Sequence, residues 1–304
     1  MHNVRLIFNP FANHQQAGQK VRDLRTFIDE LGGADWVGTE YPTHASKLAA
    51  EAALEGYETV IAVGGDGTVH EVINGLMKIA PQHRPKLGII PVGSGNDFAA
   101  SAGISFNLQE AARRVFEGQA TPIDVASICD GSGRLEYWMN SCGIGLDGQI
   151  NIATRKLTWV HGFWMYFVAL MQTVFGRYYS SPVTLWVDGV ELYRGDLLML
   201  TLGNGPREGG GFQTTPDSQI DDGWLDYCRI QSMGRLAILL LIPRVLRGAH
   251  GKSPQVALGR FKRLKLDSAQ PMPIHIDGEV FGSPEMHVTE VEVEIMPRAV
   301  QLYR

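Results

Sequence analysis

Three short runs of aliphatic residues constrain the fold of this chain more than any other feature: VRLIF (Val4 to Phe8), TVIAV (Thr59 to Val63) and LGIIPV (Leu87 to Val92). They are continuous apolar stretches rich in Val and Ile, as expected of parallel strands buried on both faces. The segments between them keep helical spacing. Val21, Leu24, Ile28 and Leu31 share one face, Ala45 to Leu54 is rich in Ala and Glu with Thr43 as its N-cap, and Val69, Val72, Ile73, Leu76 and Met77 form an apolar stripe. Asn107 with Glu110 three residues on resembles a capping box for Leu108 to Glu117. Alternating strand and helix signals of this kind predict an N-terminal α/β domain with a mostly parallel sheet.

After about Pro122 the rhythm changes. VTLWVDGVELY reads as a hairpin turning at Asp188-Gly189, and HVTEVEVEIMP alternates Val291, Val293 and Ile295 with Glu292 and Glu294. With DLLMLTLG, WLDYCRI and MPIHIDGEVF, these runs predict a second, C-terminal domain, an antiparallel β-sandwich with inserted helices. The full expectation is an α/β plus mainly-β chain: residues 1–125 as an ATP-binding α/β domain, to which about 295–304 return, and 126–294 as a mainly antiparallel, lipid-binding domain. The hydrophobic fraction of 44% against 19% charged residues in 304 supplies cores for both and excludes disorder.

The three cysteines, Cys129, Cys142 and Cys228, lie too far apart for a C-x-x-C site and suggest no disulfide framework, so a reducing cytoplasm is the expected location. The N-terminus lacks the apolar region and cleavage pattern of a secretory signal. Leu157 to Gly176 is apolar enough to raise the question of a membrane span. His161, Gly162, Gln172 and Thr173 interrupt it, which favours a buried helix. Net charge is −5, against nucleic acid as a partner, but the nine Lys and Arg from Arg229 to Lys265 meet no Asp or Glu within that block. They surround the apolar stretch Leu236 to Ile242. Either a buried helix with a solvated basic rim or a surface attracted to anionic lipid headgroups has this pattern.

At two places a strand signal runs into glycines that open a helix signal. Gly64-Gly65-Asp66-Gly67-Thr68 follows TVIAV, and Gly93-Ser94-Gly95-Asn96-Asp97 follows LGIIPV. Helix N-termini at the carboxyl ends of parallel strands point N–H groups and a positive dipole end outward, and glycine lets the backbone approach an anion closely. Two such loops on neighbouring strands predict a polyphosphate site. No G-x-x-x-x-G-K-[ST] motif occurs, and no G-x-G-x-x-G follows the first strand.

NPF after the first strand, GGDGTVHEVINGL, LGIIPVGSGNDFA, PIDVA, GNGPREGGGF, PDSQIDDGWLDY and IDGE resemble, in order and spacing, the bacterial soluble diacylglycerol kinases, the YegS-like lipid kinases related to sphingosine kinases. The resemblance covers nearly the whole chain. It implies an ATP-dependent kinase that transfers the γ-phosphate to the hydroxyl of a membrane lipid such as diacylglycerol. It implies Asp66 as organiser of a catalytic Mg²⁺, and Asn9, Thr43, Gly64, Gly65, Asp66, Gly67, Thr68, Glu71, Ser94 and Asn96 as the nucleotide-binding set. Glu279 is implied as general base, Asp97 and Asp124 as members of a polar network, and Gln219, Asp222 and Trp224 as ligands of a second, structural Mg²⁺ or Ca²⁺. A cytoplasmic enzyme peripheral to the inner face of the membrane follows from the same resemblance.

Several members follow the N-P turn with Gly-Lys. Here His14 stands near that place and the next lysine is Lys20. Simpler readings accompany the individual residues: Asp-Gly-Glu is also a plain hairpin turn, Asp97 a helix cap, Asp124 the end of a strand and Asp221-Asp222-Gly223 an acidic turn. NAD kinase, which shares GGDGT, and a lipid-binding protein without catalysis are the competing functions.

Overall fold

A computed structural model describes residues 3–11, 17–157, 162–176 and 178–304, the side chains of 17–22 excepted. The chain divides into two compact units, Met1–Asp124 with Arg298–Arg304, and Val125–Pro297. His14 lies outside the described residues, as does the side chain of Lys20.

The first unit begins with β1 (Val4–Phe8), α1 (Ala17–Glu30), β2 (Asp35–Gly38) and α2 (His44–Leu54). It continues through β3 (Thr59–Gly64), α3 (Asp66–Leu76), β4 (Lys86–Pro91), α4 (Asp97–Ser101) and α5 (Leu108–Glu117). The strands pair in parallel in the order β2-β1-β3-β4. All six residues of β3 are buried, so its unbroken apolar run is the signature of a central strand covered on both faces. The short β2 is only partly buried, as fits an edge.

Two helix starts depart from the sequence expectation. Thr43 stands at the N-cap of α2 in a left-handed conformation, and its side chain makes no capping bond. Instead Glu71 of α3 receives the Thr43 and Ala45 backbone N–H groups at 2.8 and 3.0 Å, so a carboxylate from another helix satisfies these donors. At α5, Asn107 Oδ1 does accept the Gln109 and Glu110 N–H groups. Glu110 does not close a capping box, because its carboxylate accepts Ser105 Oγ–H at 2.7 Å.

The second unit takes up β5 (Ala120–Asp130), which carries the chain into it, then β6 (Leu135–Trp138), β7 (Ser141–Gly145), α6 (Leu146–Thr154) and α7 (Phe163–Phe175). There follow β8 (Ser181–Val187), β9 (Val190–Gly203), β10 (Leu225–Gln231), α8 (Arg235–Val245), β11 (Val256–Phe261) and β12 (Arg263–Ser268). The unit closes with β13 (Ile274–Ile276), β14 (Glu279–Gly282) and most of β15 (Glu290–Tyr303). Its strands pair antiparallel, β14-β13-β7-β9-β8-β12-β15, with β10 bridging β9 and β11. The Asp188-Gly189 hairpin is as expected: both residues have positive φ and Val187 pairs with Val190. Trp138, Phe261 and Phe281 fill the core of this unit with Leu and Ile from the facing strands.

The apolar segment Leu157 to Gly176 contains the helix α7 of 13 residues, about 20 Å at 1.5 Å per residue. That falls short of a bilayer core of about 30 Å, and no described helix is long and apolar enough to cross a membrane. Residues 158–161 of the segment lie outside the described residues. Leu170 and Val174 of α7 meet Ile238, Leu241 and Val245 of α8 in a second apolar cluster.

The basic block is less isolated in space than in sequence. Arg260 pairs with Asp222 and Asp226, Lys265 with Glu290 and Asp267, and Arg235 donates to the Val174 and Gly176 carbonyls. The unopposed charge seen along the chain is therefore reduced by acids from other segments.

His250 is fully buried, with Nε2 at 3.0 Å from the Thr214 carbonyl and no hydrogen-bond acceptor at Nδ1. A second proton would sit unsatisfied in the interior, and burial accordingly pushes its pKa below the usual 6.5. The unfolded chain then binds a proton that the folded chain refuses, so this contribution to stability is intact above pH 6.5 and declines below it. His250→Gln keeps a donor for Thr214 and cannot titrate. Urea midpoints measured at about pH 7.5 and about pH 5.5 should fall further for the wild type than for the variant; equal falls would refute the assignment.

Candidate active site

Strand β3 ends at Gly64 and α3 starts at Asp66 with Gly65 as N-cap, so the first glycine loop sits at a strand's carboxyl end and a helix N-terminus. The adjacent strand β4 delivers the second loop to the same edge, because β3 and β4 pair in register from Thr59–Lys86 to Gly64–Pro91. The loops touch through backbone. A Cβ on Gly93 would stand 2.4 Å from the Gly65 Cα, which no side chain could tolerate.

Asp66 is the first residue of α3, and its Oδ1 accepts the Phe98 N–H at 3.1 Å. A carboxylate of one glycine loop thereby fixes the helix that follows the other. Its Oδ2 faces Gly95, where a Cβ would come within 3.0 Å. The second loop is also self-braced. Asn96, buried and left-handed, accepts the Gly93 N–H at 3.1 Å and donates to the Gly93 carbonyl at 2.9 Å. Ser94, between them, is exposed.

The nucleotide-binding candidates separate accordingly. Gly64, Gly65, Asp66, Gly67 and the exposed Ser94 line the two loops. Thr68 is buried, folds over Gly64 and accepts Asn9 Nδ2–H at 3.2 Å, so Asn9 and Thr68 brace the loop with their side chains. Glu71 is engaged at the start of α2, and Asn96 within its own loop. Sequence reasoning missed both bracing roles, because the partners are backbone groups.

Asp97 opens α4 and is buried. Asp124 does not end a strand: it lies inside β5, fully buried, and accepts the Arg298 N–H at 2.7 Å. Arg298 itself is left-handed, so the carboxylate pins a bend in β15.

In the second unit, Asp277 and Gly278 form the turn between β13 and β14, both with positive φ, and Glu279 begins β14. The hairpin reading of Asp-Gly-Glu is thus correct for its first two residues. Asp277 receives the Met139, Asn140 and Ser141 N–H groups at 2.8 to 3.2 Å. Glu279 is half-exposed and pairs with Arg155 at 2.8 Å. Its carboxylate is available at the surface, as a proton acceptor for a docking substrate must be.

The candidate second metal position fares differently. Asp222 accepts the Trp224 N–H at 3.1 Å and is held by Arg260, whose guanidinium also reaches Asp226 at 3.6 Å. Burial raises the Asp226 pKa in spite of Arg260. Lys262 lies over the Trp224 ring at 4.6 Å, and Gln219 is exposed. Arg260 occupies the one carboxylate on which the expected Mg²⁺ or Ca²⁺ site relies, while Asp217 beside Asp222 and Asp226 keeps the corner acidic. The catalytic ion is a different case. Asp66 at a helix N-terminus, among glycine backbone, offers oxygen and phosphate-facing N–H groups of the kind an Mg²⁺–polyphosphate requires.

A parallel α/β unit with two glycine loops in contact at one sheet edge, followed by an antiparallel β unit, defines the class as a two-unit α/β plus β scaffold. The sequence profile of the diacylglycerol kinase catalytic domain matches residues 3–128, and that of the YegS C-terminal NAD kinase beta sandwich-like domain matches 140–304. A diacylglycerol kinase of Mycobacterium tuberculosis is 32% identical over 86% of this chain and 81% of its own length. A diacylglycerol kinase of Bacillus subtilis is 28% identical over 93% and 91%. The crystal structure of a diacylglycerol kinase from Bacillus anthracis superposes with a TM-score of 0.72 at 23% identity, covering 99% of this chain and 96% of that one, which supports the fold. The chain belongs to the diacylglycerol kinase family and is a kinase.

Proposed function

We propose that this enzyme transfers the γ-phosphate of ATP to the hydroxyl of a membrane lipid, with diacylglycerol as the first candidate acceptor. The observation that carries the reading is the pair of glycine loops in backbone contact, with Asp66 between them at the start of α3. Asp66 would hold an Mg²⁺ ion, which when bound would supply positive charge against that developing on the transferred phosphate. The Gly64 to Thr68 backbone orients the phosphates, Asp66 holds the ion directly or through water, and Glu279 takes the acceptor's proton. Family membership supports the kinase chemistry; the acceptor is inferred from the names of the relatives. A transfer assay with γ-labelled ATP, a lipid panel and NAD in parallel tests it. A labelled lipid is expected; label in NADP alone would overturn the reading.

Membrane docking belongs to the same proposal. Trp164 and Phe175 of α7 and Leu236 and Leu240 of α8 are each more than 60% exposed, while Arg244, Arg247 and Lys252 are exposed nearby in the chain. Large exposed apolar side chains on two packed helices favour an apolar partner, and the cations favour an anionic surface. Leu236→Ser with Leu240→Ser should weaken sedimentation with phosphatidylglycerol vesicles about tenfold or more, since each buried Leu is worth roughly 1.5–3 kcal/mol. Binding by the wild type should also weaken at high salt, because exposed charges are screened within about 8 Å at physiological ionic strength. Unchanged sedimentation of the double variant would remove α8 from the docking surface.

A further inference from the structure

The second unit holds a cluster of three metal-ligating side chains that the proposed reaction does not use. Asp147 comes from the first turn of α6, Glu208 from the loop after β9 and His275 from β13. His275 Nε2 lies 3.4 Å from Asp147 Oδ1 and 3.7 Å from Glu208 Oε2, and the three ligand atoms all fall within 4.8 Å of one another. His275 and Glu208 are more than nine-tenths buried. Among the described residues no other group of three such side chains converges in this way.

Each member is aimed by its own device. Thr201 Oγ1 donates to Asp147 Oδ2 at 2.7 Å, fixing one oxygen and leaving Oδ1 toward His275. Antiparallel pairing places His275 opposite Gly143 on β7. A Cβ on Gly143 would come within 2.3 Å of both His275 Nε2 and Asp147 Oδ2, so only glycine leaves this space to the cluster. Glu208 is held by reciprocal backbone bonds with Phe212 across the left-handed turn at Gly209 and Gly210. The loop before it is clamped, since Asn140 Nδ2 donates to the Arg207 carbonyl at 2.9 Å and Asn204 Nδ2 to the Met139 carbonyl at 2.7 Å.

The independent sign of a missing ligand is Glu208 itself. Neither of its buried carboxylate oxygens has a hydrogen-bond partner among the described residues, and Oε2 lies 3.7 Å from the His275 ring nitrogen, beside the Asp147 carboxylate. Burying a carboxylate without hydrogen bonds costs several kcal/mol unless a cation compensates it. An ion bound at about 2.0–2.2 Å to nitrogen and oxygen in tetrahedral geometry holds its ligand atoms about 3.3–3.5 Å apart. Of the observed spacings, 3.4 Å lies inside that range and 3.7 Å slightly above it. With an ion bound, two deprotonated carboxylates and a neutral imidazole would carry a charge of −2, which a divalent ion cancels.

We propose that Asp147, Glu208 and His275 form a binding site for a borderline divalent transition-metal ion of the Zn²⁺ class. One imidazole with two carboxylates suits Zn²⁺ or Mn²⁺ and is poorly matched to Mg²⁺ or Ca²⁺, which take oxygen only. Three protein ligands leave a fourth position for water or another small oxygen ligand. The cluster draws only on residues of the second unit and shares none with the candidate site at Asp66, so it stands whatever the acceptor of the kinase reaction proves to be.

The test uses the full chain, stripped with chelator and titrated with Zn²⁺ under calorimetry, then with Co²⁺ as a spectroscopic probe. One equivalent of Zn²⁺ should bind and raise the thermal midpoint, and Co²⁺ should develop the visible absorption of a low-coordinate nitrogen and oxygen site. Glu208→Gln, near-isosteric and free of the buried charge, and His275→Gln should each weaken binding at least tenfold, with folding checked by circular dichroism. Asp222→Asn should leave binding unchanged. Failure of the wild type to bind Zn²⁺ or Co²⁺, or equal binding by a folded Glu208→Gln variant, would overturn the assignment.

Discussion

Asp66→Asn is expected to lower phosphate transfer by roughly 10²–10³-fold or more, the range seen when one preorganised electrostatic contact to a developing charge is lost. The substitution removes the carboxylate's charge and keeps its shape. An amide oxygen can still accept the Phe98 N–H that Oδ1 accepts at 3.1 Å, so the brace between the loop at Gly65 and α4 persists. Loss of activity with an unchanged thermal midpoint is the expected pair of results. The dependence of rate on Mg²⁺ provides the second readout: a residue that holds the ion should raise the Mg²⁺ concentration at half-maximal rate. An Asp66→Asn enzyme of normal activity would remove Asp66 from the chemistry and leave it as a loop brace.

The second large effect concerns Glu279. Glu279→Gln should cost about 10²–10⁴-fold in turnover, the usual contribution of a positioned general base, with little change in ATP affinity. The ion pair with Arg155 supplies the control. Both partners are about half exposed, so the pair contributes only about 0–1 kcal/mol to stability. Arg155→Gln should therefore leave the fold and most of the turnover in place while freeing Glu279. If both variants lose activity alike, the pair as a unit positions the β13–β14 hairpin, and the base lies elsewhere. A pH–rate profile separates the cases, because only loss of the base removes the acidic limb.

The parts of the fold legible in the sequence were those with an uninterrupted local signal. The runs at Val4, Thr59 and Leu87 became β1, β3 and β4 because strands covered on both faces must be apolar throughout. The four-residue β2, partly buried at an edge, had no such run to show. VELY and DLLMLTLG read as two strands and are one, since β9 continues through Gly195. Thr43 failed as a side-chain cap because a carboxylate distant in sequence reached its backbone first.

At the candidate site the glycine loops were visible, as close backbone approach demands glycine and little else can replace it. Their bracing side chains were not, because Asn96 and Glu71 bind main-chain atoms and carry no motif. The Asp147, Glu208 and His275 cluster was hidden for a different reason. Each member stands alone in its own segment, and only the pairing of β13 with β7 and the turn after Glu208 bring them together.

The contact between Gly65 and Gly93 bears on how the edge proposed to bind phosphate can change over time. Where recognition is made by main chain, the surrounding side chains are free to drift in charge and size without altering the shape that receives the anion. The two glycines have no such latitude, and neither can be relieved by changing the other, because each is crowded by the other's backbone. Variation in acceptor preference would then accumulate in the second unit, while this edge stays fixed as a shared mould.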